Sequence, residues 1–226
     1  MLINNVKAPN LPLFRDAYDR PQFDQFANAL RLYFNRLDQY LVSINDAANG
    51  GITTGGFTFP HIAASDSTDQ VAGGNNTATV VKWNTLDSGY FWTLNSPGSA
   101  TAQVSGVYVI RYSLQFVNTA NAIHFATVWL KVNNVDVANS ATKFFIPARK
   151  SASAGEEGYL CAYSEATFEV EAGDEIELYW ATDVANIVSP AQDGVYMFHD
   201  AAQVSPFARP AIPSAIGSIM WMSAIT

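Results

Sequence analysis

The sequence predicts a mainly β protein: an antiparallel sandwich preceded by an extended arm and one long amphipathic helix. Three observations point there. A single stretch, "RPQFDQFANALRLYFNRLDQYLVSI" (residues 20–44), carries a helical apolar period. From about Thr79 onward, short segments alternate apolar and polar residues with period two and are divided by Gly, Asn and Asp turns. Charge is scarce: charged residues make up 14% of the 226-residue chain, about half the usual share, while hydrophobic residues reach 49% and aromatics 13%. Material for a core is ample, and so little charge predicts that much of the surface meets a partner instead of water.

The chain divides into four segments. Residues 1–20 carry Pro9 and Pro12, which fix φ and remove backbone donors, so the segment is extended. Leu2, Ile3, Val6, Leu11, Leu13 and Phe14 make it apolar, which suits an arm lying along a neighbour better than a disordered tail. Residues 21–46 form the helix. Asp19 can cap it, Pro21 suits its first turn and Gln22 stands where a capping box needs it. Phe23, Phe26, Leu30, Tyr33, Leu37, Tyr40 and Ile44 are spaced alternately three and four apart, an a/d stripe that Ala27, Phe34 and Leu41 widen at the e positions. Asn49-Gly50-Gly51 ends it. Two outcomes fit the stripe: packing on the chain's own β domain, or a short bundle of identical helices about a symmetry axis. Aromatic a and d residues need a wider core than a dimer offers, which favours a trimer. Residues 47–78 read as a Gly/Thr-rich linker with room for one short strand at "FTFPHI", and residues 79–226 as the β domain.

Inside that domain the strands differ in kind. "VYVIRYSLQFV" places Tyr108, Ile110, Tyr112, Leu114 and Phe116 on one face and Arg111, Ser113 and Gln115 on the other. "IHFATVWLKVNNVDVA" is apolar on both faces and turns at Asn133-Asn134. "ATFEVEAGDEIELYW" reads as a hairpin turning at Ala172-Gly173-Asp174, with Phe168, Val170, Ile176, Leu178 and Trp180 inward and Glu169, Glu171, Glu175 and Glu177 outward. "SAIGSIMWMSAIT" is again apolar on both faces. An antiparallel sheet normally wets one face, so two-sided apolar strands predict a partner subunit on the outer side. This places Trp129 and Trp221 at a trimer interface, together with Phe23, Phe26, Leu30, Tyr33, Leu37, Tyr40 and Ile44 of the helix.

The order of these motifs resembles a known family. "SGVYVIRYSLQF", "ATVWLKVNNVDVA", "ATFEVEAGDEIELYW" and a closing apolar strand look like the trimeric jelly roll shared by tumour necrosis factor ligands and complement-type globular heads. Gly106 and Tyr108, Asn133 and Asn134, and Gly173 and Asp174 occupy the family's pattern positions, and the resemblance covers roughly residues 79–226. It implies an antiparallel jelly-roll sandwich and a homotrimer. The front end is similar to structural proteins of tailed bacteriophages, including those of marine cyanobacteria: a proline-containing arm, "FANALRLYFNRLDQYL", a Gly/Thr linker, then the jelly roll. "PAIPSAIGSIMWM" is similar to the end of such phage domains. These similarities imply a virion protein assembled in the host cytoplasm: a short fibre, a spike, or a capsid or tail decoration. Residues 1–44 would anchor it to other virion proteins while the jelly roll is displayed. The alternative is a carbohydrate- or receptor-binding jelly-roll module that meets a host-surface glycan; a trimeric signalling ligand is a third reading.

Other functions are disfavoured by composition. The net charge is -8, from 12 basic and 20 acidic residues, and the basic ones are scattered, which argues against nucleic acid. Cys161 is the only cysteine, so no internal disulfide forms. "MLINNVKAPNLPLF" lacks a secretory apolar core, and no apolar run approaches the ~20 residues of a membrane helix, so the expectation is folding inside a cell without membrane insertion. No catalytic residues, cofactor or metal are predicted. His61, His124 and His199 lack metal-ligand spacing, there is no GxSxG elbow, and no Gly-Lys-Ser/Thr follows the glycines. His124, on an apolar strand, reads as a satisfied interface residue. Glu169, Glu171, Asp174, Glu175 and Glu177 offer the oxygens calcium needs, but alternate carboxylates read first as a wetted strand face. Tyr90, Phe91 and Trp92 can either stack a sugar ring or fill the core. The polar loop at 147–159 is either flexible or a contact tip.

Overall fold

The computed structural model describes residues 25–38, 59–151, 156–187 and 193–225. The chain falls into two units, Met1–Phe59 and Pro60–Thr226. The arm at 1–20, Phe23, Tyr40, Ile44, both helix caps and residues 47–58 lie outside the described residues.

In the first unit, residues 25–38 are one α-helix, α1. Phe26, Leu30, Tyr33 and Leu37 are half-buried along it, as is Ala29. The e positions are not: Ala27 and Phe34 are exposed, and so is Leu32. Among the described residues the half-buried positions are thus those of the a/d seam together with Ala29, and the e position Leu41 lies outside the described residues.

The second unit is built from β1 (His61–Asp66), β2 (Thr79–Val80), β3 (Thr85–Tyr90), β4 (Trp92–Asn95), β5 (Ser99–Ala102), β6 (Gly106–Asn118), β7 (His124–Val132), β8 (Val135–Asp136), β9 (Thr142–Ile146), β10 (Gly158–Val170), β11 (Glu175–Thr182), β12 (Val195–Met197) and β13 (Ala215–Ser223). The first sheet runs β10-β6-β13-β1-β3, with β12 also on β6. The second runs β4-β5-β11-β7-β8, with β2 on β11 and β9 on β7. Neighbouring strands are antiparallel. The first strand pairs with the last, and the chain crosses repeatedly between sheets, which is the winding of a jelly-roll sandwich.

The core lies between the sheets. Tyr108, Leu114 and Phe116 of β6 meet Val128 and Leu130 of β7 and Leu178 and Trp180 of β11, all essentially buried. Phe116 packs on Trp180 at 5.5 Å between centroids, and Trp92 stands edge-on to Tyr108 at 5.2 Å. Trp92 is therefore a core residue, with the Tyr108 hydroxyl beyond it donating to the Val104 carbonyl at 2.8 Å.

Three sequence readings are corrected here. The linker predicted to run to residue 78 ends earlier. His61–Asp66 is an internal strand of the first sheet, held between β13 and β3. Gln70, buried, exchanges backbone hydrogen bonds with Met197 at 2.9 Å, and its side chain accepts from Lys82 N and donates to Lys82 O. Small residues hid this segment, because "AASDSTDQVAGG" carries too little bulk to show an apolar period. Second, "ATFEVEAGDEIELYW" is not a hairpin. β10 pairs with β6 in the first sheet and β11 with β5 and β7 in the second, so Ala172-Gly173-Asp174 is a crossing between sheets. The turn is docked on β5, with Gly173 N donating to Ala102 O and Ala102 N to Asp174 O, and Gly173 supplies the positive φ of 98°. A tight turn reads the same in sequence whether its flanks pair with each other or part. Third, Trp221, read from sequence as outward-facing, turns inward against the core. At Gly106, on the neighbouring strand, a Cβ would sit 2.3 Å from Trp221 Nε1, so only glycine admits the indole.

Candidate interaction surface

The sandwich presents two outer faces, and the residues singled out from sequence divide between them. Trp129 lies on the second sheet and Trp221 belongs to the first, so the two tryptophans do not share a face.

On the outer face of the second sheet, alternation brings Phe125, Thr127, Trp129 and Lys131 of β7 to the surface beside Glu177 and Tyr179 of β11. Trp129 and Tyr179 are cross-strand partners with centroids 6.0 Å apart and planes at 32°. The chain's own polar groups cover these rings. Lys131 Nζ sits 4.4 Å from the Tyr179 centroid, and Lys143 Nζ 3.9 Å from that of Phe125. The Trp129 indole N–H donates to Asp136 Oδ1 at 2.8 Å, and Lys131 Nζ reaches the same oxygen at 3.6 Å. The acidic rim has a structural explanation as well. Glu175 accepts from the Ser99 hydroxyl, and Asp174 accepts from Asn133 Nδ2 at 2.7 Å and from the Glu171 amide at 2.8 Å. Burial pushes the Glu177 carboxyl up, neighbouring Glu175 adds to this, and Lys131 opposes it. Among the described residues no group of His, Cys, Asp and Glu is placed to hold a metal ion.

His124 sits at the start of β7 with Nδ1 2.9 Å from Asp183 Oδ2, and the Phe125 amide donates to Asp183 Oδ1 at 3.0 Å. Burial pushes the Asp183 carboxyl up, but the hydrogen bonds from His124 and Phe125, with the charge on His124, together hold it below its ordinary value of 3.8. The pair ties β7 to the end of β11. His61 lies 2.9 Å from the Ser88 hydroxyl and the His199 amide donates to Asp69 at 2.8 Å, so the three histidines sit in separate environments.

The outer face of the first sheet is different. Tyr163, Ser113 and Ile216 form one row across β10, β6 and β13, and Thr167, Val109 and Met220 form another. Tyr163 is 58% exposed, and Ile216 and Met220 are just under half exposed. Between the rows lies one exposed ion pair, Arg111 Nε to Glu165 Oε2 at 3.1 Å. Cys161, also exposed, is 3.1 Å from the Ser113 hydroxyl. Among the described residues no cation sits over the Tyr163 ring. Sequence reasoning missed Tyr163. Its apolar partners are on a strand more than fifty positions away and were invisible without the register.

No helix among the described residues is long and apolar enough to cross a membrane. No family model matches the chain, and no curated protein matches it. Among solved structures, the chain is similar to that of Eiger TNF from S. frugiperda, with 15% identity over 74% of this chain and 96% of that one and a TM-score of 0.42. The jelly-roll assignment rests on the strand order of the chain itself.

Proposed function

We propose that this chain is a non-enzymatic structural protein that assembles as a homotrimer through the outer face of the first sheet and displays its jelly roll on a larger particle. The observation that carries this reading is the apolar surface of Tyr163, Ile216 and Met220, exposed among the described residues, on a chain otherwise poor in charge. An exposed patch of this kind on a regular sheet is what a subunit contact buries. The seam of Phe26, Leu30, Tyr33 and Leu37 on α1 supports the same reading, because so short an amphipathic helix needs a partner surface to be stable. The particle is a tailed-phage virion, a reading supported by the similarity of the arm, helix and C-terminal segment to phage structural proteins. Residues 1–44 serve as its anchor to other virion proteins.

Analytical ultracentrifugation of the full chain tests the assembly. A species near three times 24.5 kDa is expected, and a monomer at micromolar concentration overturns the reading. Mass spectrometry of purified particles tests the location. A second reading, glycan binding, draws on the Trp129–Tyr179 ring pair with Asp136, Lys131 and Glu177 around it. Specific binding on a glycan array that is lost in Trp129→Ala would favour it.

A further inference from the structure

The loop between β12 and β13 inverts the usual distribution of polarity. Two antiparallel rungs close it into a hairpin. Asp200 and Ile212 exchange backbone hydrogen bonds at 3.0 and 2.8 Å, and Gln203 and Arg209 at 3.1 and 3.0 Å. Its charged groups turn to one another at the base. The Arg209 guanidinium pairs with the Asp200 carboxylate and donates to the carbonyls of Ala201 at 3.4 Å and Pro210 at 3.1 Å, while the Gln203 amide donates to the same carboxylate at 3.4 Å. Outward it shows Val204, Pro206, Phe207 and Ala208. Val204 is 90% exposed and Phe207 65%. A loop that served only to connect strands would put its polar side chains into water and its apolar ones against the protein. Here a doubly bonded frame holds an apolar tip away from it, so docking the tip would cost little ordering entropy.

The hairpin is continuous with the apolar face of the first sheet. Phe198, two residues before Asp200, packs edge-on against Tyr159 of β10 at 5.6 Å. Tyr159, 48% exposed, leads along β10 to Tyr163.

We propose that the tip from Val204 to Phe207 is a wedge that docks onto the first-sheet face of a second copy of this chain, against Tyr163, Ile216 and Met220. The inference rests on the homotrimer reading and specifies how the copies engage. The charges nearest the contact are paired: Asp200 with Arg209 on the hairpin, and Arg111 with Glu165 between the two rows of the face, while Glu169, the next outward carboxylate of β10, lies one row beyond Met220 and can stay in water at the rim. Wedge and face are different patches of one chain, which makes the contact heterologous. Repeated by rotation it closes into a ring, whereas face-on-face contact would stop at two.

The test places the photocrosslinker p-benzoylphenylalanine at position 207 of the full chain, and separately examines the double variant Val204→Asp, Phe207→Asp. Both positions are solvent-exposed, so the variant should keep the circular dichroism and melting temperature of the parent. Expected are crosslinks to β10 or β13 peptides of another copy, and a rise of about 10-fold or more in the concentration at which the trimer half-dissociates. Crosslinks confined to one chain or reaching only an unrelated protein, or a variant that assembles like the parent, overturn the wedge while leaving the trimer standing. A parent chain that is monomeric at micromolar concentration overturns both.

Discussion

On the second sheet the outward rings of Phe125 and Tyr179 lie under Lys143 and Lys131, and the Trp129 indole N–H is bonded to Asp136. On the first sheet Tyr163, Ile216 and Met220 stand half-exposed without such cover among the described residues. Both faces are rich in apolar side chains, and Phe145 beside Phe125 on the second sheet is itself 66% exposed; the faces differ in that cations sit over the Phe125 and Tyr179 rings, whereas among the described residues none sits over Tyr163. The difference teaches that a strand apolar on both sides does not by itself mark an interface. What decides is whether polar groups on adjacent strands can reach over the rings. At β7 they can, because Lys131 is register-paired with Asp136 and Lys143 with Thr127. The Trp129 indole N–H and ring thus have partners within the chain, Asp136 and Tyr179.

The strongest way to break this comparison is to put charge on both faces in turn. Ile216→Asp with Met220→Asp should raise the dissociation constant of the trimer by roughly 100-fold or more, about 2.7 kcal/mol, and leave folded monomers in ultracentrifugation. Trp129→Lys should leave the assembly unchanged. The opposite pattern would move the interface to the second sheet. The helix sharpens the same question: Leu30→Asp with Leu37→Asp should remove the helical signal in circular dichroism while the trimer persists.

A smaller effect tests which way Trp221 points. Gly106→Ala drives a methyl into the indole and should cost about 1–3 kcal/mol of stability, read as a lowered melting temperature. The methyl also meets the Ser223 carbonyl at 2.8 Å, so the test compares Gly106→Ala alone with Gly106→Ala in a Trp221→Ala background: an inward indole predicts a smaller cost in the second.

The Asp183–His124 tie predicts a pH dependence. A carboxyl held below its ordinary value stabilises the fold above that value, and the contribution fades as pH falls through the lowered one. Asp183→Asn should therefore cost about 1–2 kcal/mol near neutral pH and progressively less in acid, measured by melting curves of both proteins. A gap that widens in acid would contradict the assignment. The smallest effect is expected at the covered face, where Lys131→Ala should cost no more than about 1 kcal/mol through the lost contact with Tyr179.

Much of the fold is legible in the order of the residues. The five inward residues from Tyr108 to Phe116 are buried, because period two is a property of the extended backbone that any half-buried strand must obey. Asn133-Asn134 connects β7 to β8 with both residues at positive φ, which asparagine tolerates better than most side chains. The a/d seam of α1 at Phe26, Leu30, Tyr33 and Leu37 follows from 3.6 residues per turn in the same way. The apolar face of the first sheet is not legible, since Tyr163 and Ile216 become neighbours only through β6 between them. Nor is the inverted hairpin, where Asp200 and Arg209 look in sequence like ordinary solvated charges in an alanine- and proline-rich loop.

Outside the small-residue stretch that hid β1, sequence alone determined what the segments are, helix, strand or turn, and which of their sides is apolar. These depend on the geometry of a few consecutive residues. Only the tertiary structure decided where each strand goes. β10 and β11 part at Ala172-Gly173-Asp174 into opposite sheets, Trp221 turns inward because Gly106 leaves room for it, and Lys131 and Lys143 come to lie over rings on neighbouring strands. A strand's backbone donors and acceptors accept any partner of matching register, so pairing is settled by the packing of distant side chains, and with it which outward rings come to lie under a cation.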